Sequence, residues 1–214
     1  MAQIIDHTLP AYKSRWAGAG VNRWNGAYYY SREIVRNIIP NVRTDRSWIT
    51  INAPENGCDH AIVFVHNNLH PENYAWLKRY DDLILICGVP ETVPKVEHIG
   101  SAFYLPLSID VREVQRFISG KDRLAAFVGR QSKRFGAEFP PGTDIIDGMP
   151  RDSLLSVMAH YKYVYAVGRT AIEARALGCE ILPYDPRFPD PEIWKVVDNR
   201  EAAEMLQLIL DGVD

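Results

Sequence analysis

Tyr161 to Asp185 reads Tyr-Lys-Tyr-Val-Tyr-Ala-Val-Gly-Arg-Thr-Ala-Ile-Glu-Ala-Arg-Ala-Leu-Gly-Cys-Glu-Ile-Leu-Pro-Tyr-Asp. Its first five residues are β-prone, Val167-Gly168-Arg169 is a turn, Thr170 to Leu177 are good helix formers, and Gly178 stops the helix. Glu180 to Pro183 then forms a second strand. In such a strand, turn, helix, strand unit Gly168 lets a ligand approach the backbone closely. The helix N-terminus offers unpaired N–H groups to an anion. Glu173, one turn further in, can face the same crevice, where a carboxylate accepts two hydrogen bonds from a diol such as a ribose.

Upstream, the same alternation of strand and helix recurs. Gln3 to Asp6, Ser47 to Asn52, Ala61 to His66 and Leu83 to Cys87 are apolar or β-branched runs bounded by turn residues. Helices are expected over Ala27 to Ile39, with Ile34, Val35, Ile38 and Ile39 on the buried stripe, and over Pro71 to Arg79, with proline in the first turn. Alternating strands and helices imply parallel pairing with right-handed crossovers. The first half therefore reads as a small Rossmann-like sheet. It closes with Ala102 to Ser108 and a helix from Ile109 to Ile118 capped by Ser108.

Ser119-Gly120-Lys121-Asp122 is the linker expected between two domains, 1–118 and 119–214. Beyond it the pattern restarts with the strand Leu124 to Val128, which breaks at Gly129-Arg130. Thr143 to Ile146 is a short strand, and Arg151 to Tyr161 an amphipathic helix with Leu154, Leu155 and Met158 inward. The closing helix, Arg200 to Leu210, has Asn199 as its N-cap. The fold class expected is α/β, two small Rossmann-like domains.

The phrase Gly168-Arg169-Thr170-Ala171-Ile172-Glu173-Ala174-Arg175-Ala176-Leu177-Gly178-Cys179 resembles the nucleotide-sugar segment of GT-B glycosyltransferases, the bacterial family-four type above all. The resemblance covers Arg123 to Asp214 and implies two domains facing across a cleft, with a sugar transferred from a nucleotide-activated donor to an acceptor. It makes Glu173 the ribose ligand and sets Gly168, with Arg169 and Thr170, in the donor-phosphate turn. Gly129, Arg130 and Lys133 become diphosphate contacts, since the family's second domain opens with a strand ending in Gly-Arg and a lysine a few residues on. Tyr165 stands where the family's first glutamate would be. That substitution favours donor binding over the usual catalysis.

His66 ends the apolar strand, and strand C-termini are where open α/β sheets bind ligands. By the resemblance it reaches the sugar as the catalytic candidate, with Asn67 and Asn68 as hydroxyl partners. The loop from Trp16 to Gly26 lacks the dinucleotide fingerprint, and its Trp24 is a candidate sugar contact. Glu173 also reads as an ordinary exposed helix glutamate paired with a neighbouring base, and His66 as a loop-closing histidine. No metal is expected, because Pro71 interrupts any helix carrying His66 and His70 and no carboxylate completes a set with His60. No cofactor is expected either, the nucleotide-sugar being substrate.

With 214 residues, 47% hydrophobic and 11% aromatic, the chain can bury real cores. Its net charge is −3, and up to Ser119 12 Lys/Arg balance 12 Asp/Glu. That evenness gives no electrostatic signal for nucleic acid. No apolar run approaches the roughly 18 residues of a membrane span, and no export signal opens the chain. Three cysteines without paired metal spacing, Cys58, Cys87 and Cys179, suit a reducing, cytoplasmic setting. A non-catalytic nucleotide-binding module, acting as a sensor or assembly partner, is the alternative function. A nucleotide-sugar epimerase or hydrolase is the third.

Overall fold

The computed structural model describes residues 4–5, 32–49, 60–65 and 82–213. The chain is α/β and Rossmann-like in general character, with two sheets whose strand pairs are all parallel. It divides into two compact units, 1–106 with 199–214, and 107–198. Both boundaries differ from the sequence expectation. The cut falls before the Val111–Gln115 helix rather than after it, and the closing helix belongs with the first unit.

In the first unit, β1 (Ile4–Ile5), β2 (Ser47–Ile49), β3 (His60–Val65), β4 (Asp82–Cys87) and β5 (Ser101–Tyr104) lie side by side in chain order. β3 and β4 are buried along their length after the first residue, as continuous apolar runs in a covered parallel sheet should be. Ala61, Val63, Val65, Leu83, Leu85 and Cys87 form one face with Val96 and Ile99. On the other, Trp48 stacks on Phe64 at 6.2 Å between ring centroids. Burial of each such side chain stabilises by roughly 1.5–3 kcal/mol. At the amino ends of the strands Arg46 Nη1 donates to Asp82 Oδ1 at 2.7 Å.

Of the helix expected over 27–39, residues 27–31 lie outside the described residues, and the described part, from Arg32, is helical and widens into a π-type turn at Ile34–Ile38, with Ile34 and Ile38 fully buried. The 13-residue helix Asn199–Asp211 completes this unit by burying Ala202, Ala203, Leu206 and Leu210. Asn199 Nδ2 donates to Glu33 Oε2 at 2.6 Å, and the Arg43 N–H to Gln207 Oε1 at 2.7 Å.

The second unit has the sheet order β7-β6-β8-β9, from β6 (Arg123–Val128), β7 (Asp144–Ile146), β8 (Tyr161–Tyr165) and β9 (Glu180–Ile181). The connection from β6 leads one way along the sheet and the connection from β8 the other. Their carboxyl ends therefore flank a topological switch point, where open α/β sheets hold ligands.

Several local expectations are corrected. The N-cap of the Val111–Gln115 helix is Asp110, whose Oδ1 accepts from the Glu113 N–H at 2.9 Å, and not Ser108. The helix opening at Arg151 ends at Met158, so Tyr161 starts a strand. The expected linker is integral to the second unit. Lys121 Nζ donates to the Ala159 carbonyl at 2.7 Å and the Leu177 carbonyl at 2.8 Å. It thereby closes the ends of two helices at once, since cations complement helix C-termini.

Candidate functional site

β8 leads through Ala166 and Val167 into Gly168, which has φ 64° and ψ −141°. That backbone suits glycine alone without strain, and an added Cβ there would point into open space. The helix Arg169–Ala176 follows at once. It ends as the sequence requires: the Cys179 N–H bonds to the Ala174 carbonyl and the Gly178 N–H to that of Arg175, both at 2.9 Å. This is a Schellman close with Gly178 in the left-handed position.

The register pairs Phe127 of β6 with Tyr165 of β8, so Gly129-Arg130 and Val167-Gly168 leave the same end of adjacent strands. The expected phosphate-contact segments are therefore neighbours in the sheet. Arg130 is exposed and sits at the N-cap of the four-residue helix Gln131–Arg134. Lys133 is half-buried, and burial, with the charge of Arg130 nearby, brings its ammonium down to about 8. A carboxylate is already present there, for Asp147 Oδ2 accepts from the Gln131 N–H at 2.9 Å. Thr170 is half-buried in the first turn after Gly168.

Glu173 and Arg169 depart from expectation. Both side chains are 5% exposed. Glu173 Oε1 accepts from Arg169 Nε at 2.9 Å and from Arg151 Nε at 3.0 Å. Arg151 also reaches Glu113 Oε1 at 2.9 Å. The carboxylate expected to hold a ribose is the centre of a buried ion network, with both guanidinium bonds falling on one of its oxygens. Arg169 is likewise committed inward rather than presented from the turn. The pairing of Glu173 with a neighbouring base was legible as an i,i+4 spacing. The contribution of Arg151, 22 positions away, was not.

His66, Asn67, Asn68 and Trp24, with the Trp16–Gly26 loop, Cys58, His70 and the Pro71–Arg79 helix, lie outside the described residues. Among the described residues no group of three His, Cys, Asp or Glu could hold a metal, and no helix is long and apolar enough to cross a membrane.

Sequence reasoning missed the adjoining cleft, about 570 Å³ in volume. It opens at the carboxyl ends of β8 and β9, lined by Tyr165 to Val167, Leu182 to Pro186, Phe188 to Pro191, Glu138 and Pro140. Tyr184 is the hub of its aromatic wall, with ring centroids 5.5 Å from Phe127, 5.7 Å from Phe139, 6.5 Å from Tyr165 and 5.6 Å from Phe188. Tyr165 thus serves as packing for this wall in place of a carboxylate. Burial, and then the charge of Asp185, pushes the Tyr184 phenol above its ordinary range. Hydrogen bonds from Arg187 hold the Asp185 carboxyl below its own. The signal available was compositional: Phe139-Pro140-Pro141 and Tyr184-Asp185-Pro186-Arg187-Phe188-Pro189 pair rings with prolines, as the walls of a groove do.

Together these features define an α/β protein with a Rossmann-like second unit whose strand ends carry a glycine turn, two basic side chains and an aromatic cleft. Set against protein-family models, curated proteins and solved structures, the chain matches none.

Proposed function

We propose that the protein is a glycosyltransferase that takes its sugar from a nucleotide-activated donor, with two Rossmann-like units in a GT-B-like arrangement. The observation that carries the reading is the convergence of Gly129-Arg130 and Gly168 on one end of adjacent strands, at the reversal of the sheet. A diphosphate there would meet open backbone at Gly168 and the cations of Arg130 and Lys133. These groups stabilise the charge that develops on a departing diphosphate. The amino end of the Arg169–Ala176 helix adds its dipole, and Thr170 a hydroxyl. His66 would act from the first unit, with Asn67, Asn68 and Trp24 toward sugar and acceptor. The donor is a substrate, and basic side chains with the helix terminus meet the charge on its leaving diphosphate.

A second reading, a nucleotide-binding module without turnover, is favoured by one specific observation. The two positions where the resembling enzymes carry working carboxylates hold a packed tyrosine, Tyr165, and a glutamate, Glu173, engaged by two arginines.

The test is calorimetry and thermal shift on the full chain with UDP, GDP, ADP, CMP and their common sugar conjugates, with donor consumption followed by chromatography. A ligand at 100 times its Kd stabilises by about 2.7 kcal/mol, a melting shift of a few degrees. The proposal expects one nucleotide family to bind, Arg130→Ala to abolish the shift, and donor to be consumed once an acceptor is supplied. Binding with no consumption across an acceptor panel leaves the module. If no nucleotide binds, both readings fall.

A further inference from the structure

A nucleotide at the strand ends needs a partner for its ribose as well as for its phosphates. Glu173, the carboxylate that the motif offers, is 5% exposed and already accepts from Arg169 and Arg151. Asp185, beyond β9, is 6% exposed and held by Arg187 through both of its oxygens. A third carboxylate stands at the same end of the sheet: Asp147, the residue that follows β7.

The ladder fixes its position. β6 and β7 pair Val128 with Ile146, and the Gly129 N–H donates to the Ile146 carbonyl at 3.1 Å, so Asp147 leaves its strand beside Gly129-Arg130. Its Oδ2 accepts from the Gln131 N–H at 2.9 Å, which anchors the side chain at the start of the basic segment. The residue is exposed, and its Oδ1 has no partner among the described residues. Three cations, Arg130, Lys133 and Arg134, belong to that neighbouring segment, yet among the described residues no ion pair joins any of them to Asp147. Gly148 follows at φ 71°, and a Cβ added there would meet open space, so the backbone beside the carboxylate is open to a ligand.

A carboxylate and cations held side by side without pairing suit a ligand that carries both hydroxyls and phosphates. The free carboxylate oxygen accepts from a hydroxyl in a charge-assisted hydrogen bond, while the guanidinium and ammonium groups are left for phosphate. The sheet order β7-β6-β8-β9 arranges them as a nucleotide requires. In open α/β sheets that bind nucleotides, the phosphates lie past the first strand and an acidic side chain about 20 residues further on takes the ribose hydroxyl. Here β6 is that first strand, and Asp147 follows Gln131 by 16 positions.

We propose that Asp147 is the ribose-binding residue of the donor site, its carboxylate accepting from the 2′- and 3′-hydroxyls of a ribonucleoside diphosphate whose phosphates meet Arg130 and Lys133. The inference rests on the donor reading and names the group that makes it selective for ribonucleotides.

The experiment is calorimetry on the full chain with UDP, GDP and ADP, each beside its 2′-deoxy and 3′-deoxy counterparts, for wild type, Asp147→Asn and Asp147→Ala. Asparagine can still accept the Gln131 N–H through its carbonyl oxygen, so the melting temperature of Asp147→Asn should match that of wild type. For the diphosphate that binds, wild type should favour the ribonucleotide over either deoxy form about tenfold, the worth of one hydrogen bond to a charged group. That preference should vanish in Asp147→Ala and shrink in Asp147→Asn. The deoxy forms should bind both variants at least as well as wild type, because a negative charge beside the phosphates has gone. A residue with a merely structural role would weaken ribo and deoxy forms alike. The inference is overturned if wild type binds ribo and deoxy forms equally, if the preference survives in both variants, or if both forms lose affinity together. Any of these results spares the donor site. If no diphosphate binds, the donor reading falls and this inference with it.

Discussion

Glu173 shows how a side chain can match a motif and still be used differently. Its carboxylate accepts from both Arg169 and Arg151, and all three groups are almost wholly buried. Removing one partner from a buried ion cluster costs about 3–5 kcal/mol. Glu173→Ala should lower the stability of the second unit by that amount in urea titration, and a change below about 1 kcal/mol would show that the network is idle. Loss of ligand binding in that variant then reports on folding, which is why Arg130→Ala is the cleaner probe of the donor site. Lys133 gives a prediction with a sign. Its ammonium titrates near 8 when folded against 10.5 for an ordinary lysine, so the unfolded chain binds more protons between those values. Stability attributable to this residue therefore rises with pH across that window. Lys133→Met should be more stable than wild type at pH 7, with the gap closing toward pH 10.5. Nucleotide affinity should fall as pH passes 8, and in Lys133→Met that fall should be absent.

The elements that were legible are those whose information is local. β3 and β4 announce themselves as unbroken apolar runs, and the Arg169–Ala176 helix is bracketed by Gly168 and Gly178 within its own sequence. Where two residues compete for one role the sequence does not choose: Ser108 and Asp110 are both good caps, and Asp110 takes the position because its carboxylate reaches the Glu113 N–H. Lys121 looked like part of a flexible tether because the partners of its ammonium lie 38 and 56 positions away. The same holds for the site. The Gly168 turn could be read from its immediate neighbours, whereas the aromatic cluster joins Phe139 to Tyr184 across 45 positions and could not. Two element-scale outcomes follow. Gly168→Ala, forced into a conformation that suits only glycine, should cost about 1–3 kcal/mol, read as a lowered urea midpoint with an unchanged far-UV spectrum. Lys121→Met should cost about 1–3 kcal/mol by leaving two helix-end carbonyls without their donor, and its midpoint staying at the wild-type value would mean that solvent replaces the ammonium.

For the whole molecule, the division into 1–106 with 199–214 and 107–198 makes the second unit a single continuous segment. Residues 107–198 carry their own four-stranded sheet, and the segment's ends are joined by a bridge between Ile109 and Asp198. Expressed alone, this segment should fold cooperatively and keep whatever nucleotide affinity the full chain has. A chain stopped after Asp198 should keep that affinity as well, while its first unit unfolds at a lower temperature, because Ala202, Ala203, Leu206 and Leu210 no longer cover their share of its core. Two calorimetric transitions, of which only the one belonging to the first unit moves, would be the signature. A shift of both, or of neither, would contradict the division.

The return of the last helix also sets an order of events at the ribosome. The first unit lacks its final element until residues 199–211 have been made, and synthesis at roughly 5–20 residues per second puts about 5–20 s between residue 106 and that point. During the interval the intervening unit can complete itself, while the Ile34–Asn41 segment of the first unit waits without the helix that packs on it. A nascent chain of this design invites a chaperone to the unit that was translated first and finished last.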